Sequence, residues 1–233
     1  MVAPEEISKK IFLEGKDLKK SFFLKGKEIK VFDRVNFSFE NGKVIVIQGR
    51  SGVGKSTLLS LLGGLDRPTE GSISFEGTPF ENCSNEELAL LRRRKIGIIF
   101  QNFNLLSSWT AAENVEAVLM HSGVSESVRR QKVEALLSEL GLADRLDNLP
   151  SELSVGQQQR VAIARTLAND PVLILADEPT GDVDPETAKE IIEKLLVLVK
   201  NKGTTLIVAT HGNFSESWAD QIYQMKDGGL EKK

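Results

Sequence analysis

Gly49-Arg50-Ser51-Gly52-Val53-Gly54-Lys55-Ser56 is the stretch on which the fold turns. Three glycines in six residues let the backbone curl around a small anion, and the spacing G-x-x-x-x-G-K-S places a lysine and a hydroxyl at the mouth of the curl. The surroundings fit. Val44–Ile47 before it reads as a buried strand and Thr57–Leu65 after it as an apolar helix, so a helix N-terminus faces the enclosed charge. Gly49, Ser51, Gly52, Gly54, Lys55, Ser56 and Thr57 are therefore candidate ligands of a nucleotide's phosphate chain. Lys55 would reach the terminal phosphates and Ser56 would ligate Mg²⁺. The bland reading, a glycine-rich turn without a ligand, does not account for both flanking elements.

Outward from this loop, short Val- and Ile-rich runs alternate with segments of helical period, the pattern of an α/β fold. Phe32–Phe39 alternates as a strand, and Asn41-Gly42 makes the turn into Val44–Ile47. Ser72–Glu76 is another short strand. Ile96–Phe100, Val172–Ala176 and Thr204–Ala209 are continuous apolar runs, as buried parallel strands are. Ser84 with Glu87 and Thr110 with Glu113 have capping-box spacing, and Asp184-Pro185 opens a helix running to about Lys200. Between Asn102 and Pro150 no strand is expected. Val172–Ala176 ends in Asp177-Glu178, and carboxylates at a strand's C-terminal end stand where open α/β sheets hold ligands. Asp177 suits Mg²⁺, and Glu178 suits polarisation of an attacking water.

Bulk properties narrow the partners. Of 233 residues, 40% are hydrophobic and the net charge is −3, so no global electrostatic grip on nucleic acid is expected. Cys83 is the single cysteine, which excludes an intramolecular disulfide. No segment approaches the ~20 apolar residues of a membrane span, and Met1–Lys10 has no apolar stretch to act as an export signal. A cytoplasmic chain is expected, held at any membrane by a partner. Arg92-Arg93-Arg94-Lys95 reads as a solvated helix end whose charge suits the helix dipole, and His121 as a structural histidine.

Leu153-Ser154-Val155-Gly156-Gln157-Gln158-Gln159-Arg160 precedes an alanine-rich helix. With the two motifs above, it resembles the signature sequence L-S-G-G-Q of ABC-type ATPases, and the resemblance runs from about Ile11 to Leu230. It implies a P-loop NTPase core with a mostly parallel sheet, an N-terminal antiparallel β subdomain and an inserted helical subdomain. The chain would be one nucleotide-binding domain, with residues 1–100 and 158–233 as core and 101–157 as the helical part. The resemblance also implies roles: Phe22 stacking on adenine, Gln101 in the lid loop as a catalytic residue and Mg²⁺ ligand, and Asp184 at a dimer seam. His211 would contact the γ-phosphate. Ser154, Gly156 and Gln157 would grip the γ-phosphate of ATP held by a second copy of the chain. Val155 departs from the pattern, and a β-branched side chain resists positive φ.

Phe100–Val115 and Leu175–Asp184 resemble the transporter branch of this family, above all the ATPase subunits of lipoprotein-release and macrolide-export systems and their cell-division relative. That implies a separate integral membrane subunit docking near Asn102–Trp109, where Phe103, Leu105, Leu106 and Trp109 are apolar candidates, and a location on the inner face of the cell membrane. The alternatives are a nucleotide-gated regulatory docking module of the cell-division type and a soluble ATPase of iron–sulfur cluster assembly. A DNA-repair ATPase would need a long coiled coil for which the intervening residues are too few.

Overall fold

The computed structural model describes residues 11–212 and 214–233; the expectation for Met1–Lys10 lies outside them. In chain order the elements are β1 (Ile11–Leu24), β2 (Lys27–Glu40), β3 (Val44–Gln48), α1 (Lys55–Leu62), β4 (Glu70–Phe75), β5 (Thr78–Pro79), α2 (Asn85–Lys95), β6 (Ile96–Ile99), α3 (Ala111–Glu116), α4 (Glu126–Glu139), α5 (Val155–Leu167), β7 (Leu173–Asp177), α6 (Pro185–Lys202), β8 (Thr205–Thr210), β9 (Gln221–Lys226) and β10 (Gly229–Lys232). They build two sheets. One is antiparallel, in the order β2-β1-β4-β5, and the other has the order β10-β9-β3-β8-β7-β6. In the second sheet every pairing is parallel except β9 with β10.

The continuous apolar runs explain why this sheet sits in the middle. Val44, Val46, Ile174, Ala176, Leu206 and Val208 face a core shared with α3 to α6. Ile45, Ile47, Leu173, Leu175, Ile207 and Ala209 face a second core shared with α1 and the antiparallel sheet. Side chains alternate across a strand, so a strand buried on both faces has no polar position. Leu58, Leu59, Leu61 and Leu62 hold α1 on the sheet. Each buried leucine contributes about 1.5–3 kcal/mol relative to exposure, enough to fix the loop at the helix's N-terminal end.

Local signals read from the sequence hold at both capping boxes: Ser84 and Glu87 exchange hydrogen bonds at the start of α2, and Thr110 and Glu113 at the start of α3. Asp184 caps α6, with Pro185 in its first turn. No strand lies between 102 and 150. One feature goes beyond expectation: β1 is a full strand, and the expected Phe32–Phe39 is the second half of its long partner β2. Asn41-Gly42 turns the chain from the antiparallel sheet into β3 of the other. α5 spans residue 157 and packs against α3 and α4 as well as α6 and β6. Among the described residues no helix is long and apolar enough to cross a membrane.

Candidate functional site

Parallel register brings the candidate residues to one edge of the sheet. Gln48 lies opposite Thr210, Asp177 opposite Ala209, and Ile99 opposite Ala176. The residues that follow these strands, Gly49, His211, Glu178 and Gln101, therefore emerge side by side. Two backbone bonds fix the edge: Gly49 N–H donates to the Thr210 carbonyl (3.2 Å) and Glu178 N–H to that of Ala209 (2.9 Å).

The phosphate loop bridges β3 and α1 as the spacing implies. Gly54 is the N-cap of α1 in the left-handed region (φ 105°) and offers no side-chain cap to the helix N–H groups. A Cβ there would also lie 2.5 Å from Val31 Cγ1, so both conformation and space require glycine. The open N–H groups of such a helix end suit an anion. Lys55 is buried; its Nζ donates to the carbonyls of Gly49 (2.8 Å) and Arg50 (3.2 Å) and lies 3.4 Å from Glu178 Oε1. Ser51 and Gly52 are exposed on the loop, and in the first turn of α1 Ser56 is exposed and Thr57 half-buried.

Glu178 stands in the left-handed region (φ 45°), a conformation costing a non-glycine residue about 1–2 kcal/mol. Three contacts hold its nearly buried carboxylate: Lys55, His211 Nδ1 (2.8 Å) and the His211 backbone N–H (3.3 Å). His211 itself is half-exposed. Gln101 is exposed beside the Glu178–Gly181 turn, its Nε2 3.8 Å from where a Cβ on Gly181 would stand.

Asp177 differs from Glu178. Its buried Oδ1 has no hydrogen-bond partner. Burial, reinforced by the Glu178 charge, pushes its carboxyl above the usual range against the pull of Ser56 and Lys55. A buried oxygen left unpaired is costly, and a divalent cation shared with the Ser56 hydroxyl would satisfy it. The described residues contain no cluster of three His, Cys, Asp or Glu fit to hold a metal alone. A cation held by one hydroxyl and one carboxylate, with phosphate oxygens completing its shell, matches the Mg²⁺ habit of sharing ligands with a nucleotide.

A second group forms at the adjoining N-termini of α5 and α6. Ser154 and Gln157 form a capping box: the Ser154 hydroxyl accepts from Gln157 N–H (3.3 Å), and Gln157 Oε1 accepts from Ser154 N–H (2.9 Å). Gly156 is buried where a Cβ would come 2.8 Å from Thr187 Cγ2 on α6. Asp184 Oδ1 accepts from Thr187 N–H (3.0 Å), and that backbone bond holds the exposed carboxyl below its usual range. The expected backbone restriction at Val155 is overturned: it is the first residue of α5, outside the left-handed region, with its side chain exposed. A helical φ suits valine, so no strain exists for glycine to relieve. Among the described residues no side-chain hydrogen bond or ion pair joins this group to the phosphate loop. Phe22 is 45% exposed on the antiparallel sheet and the neighbouring Phe23 more so.

Of the apolar candidates after Gln101, Leu106 is exposed, whereas Leu105 packs on the helical core and Phe103 and Trp109 are half-buried. Two residues that the sequence reading passed over set this geometry. Arg165 of α5 donates to the carbonyls of Phe103 and Asn104 (both 2.6 Å), clamping two consecutive left-handed residues. Buried Asn114 accepts from Leu106 N–H and donates to the Leu106 and Trp109 carbonyls. A lone arginine in the apolar run Val161–Leu167 and an asparagine in the first turns of α3 were the available signals. The strip borders a cleft of about 570 Å³, lined by Arg92, Arg93, His121 and Arg165 with Ile98, Phe100 and Leu106.

Comparison with known proteins identifies the family and the fold. The family model described as ABC transporter matches residues 32–181. An uncharacterized ABC transporter ATP-binding protein of Thermotoga maritima is 48% identical over 84% of both chains. A lipoprotein-releasing system ATP-binding protein, LolD 2, of Chlorobaculum tepidum is 42% identical over 95% of this chain and 92% of its own. The macrolide export ATP-binding/permease protein MacB of Syntrophobacter fumaroxidans is 42% identical over 94% of this chain, which spans only 31% of that protein's length. Among solved structures, MJ0796, a bacterial ABC transporter cassette in dimeric form, superposes with a TM-score of 0.88 at 38% identity, covering 94% of this chain and 98% of its own. A dimeric post-hydrolysis state of that cassette bound to ADP and Pi gives 0.87 at 37% identity, with the same coverage.

Proposed function

The chain belongs to the ABC transporter family of ATP-binding proteins, and from that premise we propose that two copies close around two ATP molecules and drive a separate integral membrane subunit. The chain is an ATP-binding cassette with ATPase activity. The observation that carries the finer reading is the division of the site. Phosphate loop, Asp177, Glu178, Gln101 and His211 share one sheet edge, while Ser154 and Gly156 head a different helix. In one chain they make two half-sites; a second copy completes each.

The roles we assign are these. Gly49, Ser51, Gly52, Gly54 and Thr57 present the phosphate loop's backbone and hydroxyls to the phosphate chain of ATP, and Lys55 exchanges its carbonyl partners for the more highly charged terminal phosphates. Ser56 and Asp177, with Gln101, would hold Mg²⁺, which would supply neutralisation of phosphate charge. Glu178, released by Lys55 and oriented by His211, takes a proton from water. The water oxygen bonds to the γ-phosphorus as the bond to the bridging oxygen breaks. Ser154, Gly156 and Gln157 at the α5 N-terminus face the γ-phosphate from the partner copy, with Asp184 at the seam. Phe22 stacks on the adenine.

The site itself supplies one test of the metal assignment. Asp177→Asn removes a buried charge that the nucleotide-free fold disfavours, and that charge is a cation ligand. The variant should melt at a higher temperature than the parent without nucleotide, yet gain no further stability from ATP on adding Mg²⁺. A thermal shift series with ATP, with and without Mg²⁺, checks both halves.

The relatives in lipoprotein release and macrolide export favour transport of that kind, on the cytoplasmic face of the membrane. The docking strip is centred on Leu106 rather than Leu105, whose replacement would open the helical core. Leu106→Asp should keep basal ATPase activity within about twofold, as surface changes do, and lose an integral membrane partner from detergent-solubilised membranes. Equal recovery of that partner by parent and variant would reject the docking site. A recovered partner that is a permease with a large extracytoplasmic domain supports transport; one that recruits peptidoglycan enzymes supports the regulatory alternative.

A further inference from the structure

Lys20 precedes Phe22 by two residues on β1. Its Nζ lies 4.8 Å from the centroid of the Phe22 ring, within cation–π range. Unlike most lysines it is buried, 7% exposed, and fixed by the Asp66 carboxylate (2.7 Å) and the Arg67 carbonyl (2.8 Å). Both anchors belong to the segment that follows α1, the helix whose other end opens the phosphate loop. The ammonium covers one face of a ring that is otherwise half-exposed.

We infer that Lys20 is a positioning residue for the nucleobase, holding Phe22 as a plate with the ammonium on one face and the purine on the other. The inference rests on the proposed stacking of Phe22 on adenine. A fixed cation draws π density toward itself and leaves the outward face a better partner for an electron-rich purine. It also restricts the ring before ATP arrives, so less side-chain freedom is lost on stacking. Through Asp66 and Arg67, the base end and the phosphate end of the site are referred to the same helix.

Equilibrium binding of Mg-ATP and of magnesium tripolyphosphate, which has phosphates but no base, tests this in the full chain. Lys20→Met should weaken ATP binding about three- to tenfold, the size of a partly exposed cation–π contact, and leave tripolyphosphate binding unchanged. Lys20→Arg should restore ATP affinity, and Lys20→Met added to Phe22→Ala should cost nothing further. Equal weakening of both ligands would make Lys20 merely structural and overturn the inference. So would parental ATP affinity in Lys20→Met when Phe22→Ala weakens it, or additive losses in the double variant. Unchanged ATP affinity in Phe22→Ala would remove the stacking proposal and this inference with it.

Discussion

Replacing Lys55 by alanine should lower ATP hydrolysis at least about 10²–10³-fold, the loss typical of removing one donor from a developing charge. ATP binding should weaken in parallel, because the ammonium faces the terminal phosphates in ground state and transition state alike. A second effect comes from the nucleotide-free fold. Lys55 and Glu178 are both nearly buried, 3.4 Å apart, and a further carboxylate, Asp177, stands next in the chain. Removing the cation leaves the nearly buried Glu178 carboxylate without its ammonium partner and with Asp177 beside it in the chain, which costs roughly 3 kcal/mol or more when no other partner compensates. His211 compensates in part. The variant should therefore be destabilised but folded, and Lys55→Ala/Glu178→Gln should regain part of the loss. Nucleotide titration and thermal melting on the same samples check the two effects separately. Parental affinity and turnover would place the nucleotide elsewhere.

Glu178→Gln should bind ATP and hydrolyse it about 10²–10⁴-fold more slowly, the usual worth of a positioned general base. Glutamine keeps the length and both polar positions of the side chain, so the contact with His211 survives, while its ability to take a proton is gone. Asp177, the cation ligand of the proposal, is untouched. Single-turnover hydrolysis with prebound ATP measures the chemical step alone; a normal rate there would assign the base to another residue.

What the sequence shows of this site is what depends on near neighbours in the chain. The phosphate loop is legible because the conformations at Gly52 and Gly54 and the chemistry of Lys55 and Ser56 fall within eight residues. The caps of α2, α3 and α6 are legible for the same reason, and Ser154 with Gln157 proves to be another capping box. β1 escapes detection because irregular register at Gly15–Ser21 and the left-handed Asp17 break its alternation. β9 and β10 escape because their position at one side of the sheet lets them carry Gln, Lys and Glu. Which loop side chain faces solvent, Leu105 or Leu106, depends on clamps from Arg165 and Asn114, contacts between distant segments that no local pattern encodes. The acidic end of Val172–Ala176 pointed to Glu178 and the resemblance to Gln101 and His211; their meeting at one edge comes from strand register. The backbone expectation at Val155 fails because α5 begins at Val155 itself, within the stretch read as preceding the helix.

The shared site is the central claim, and the mass of the Glu178→Gln chain in solution tests it most directly. Light scattering after size exclusion should give one chain, 25.7 kDa, without nucleotide or with ADP, and twice that with saturating Mg-ATP. The same variant carrying Gly156→Asp, whose carboxylate would meet both Thr187 and the partner's phosphate, should bind ATP and stay at the mass of one chain. A Glu178→Gln chain that binds Mg-ATP to saturation and remains monomeric would contradict the account.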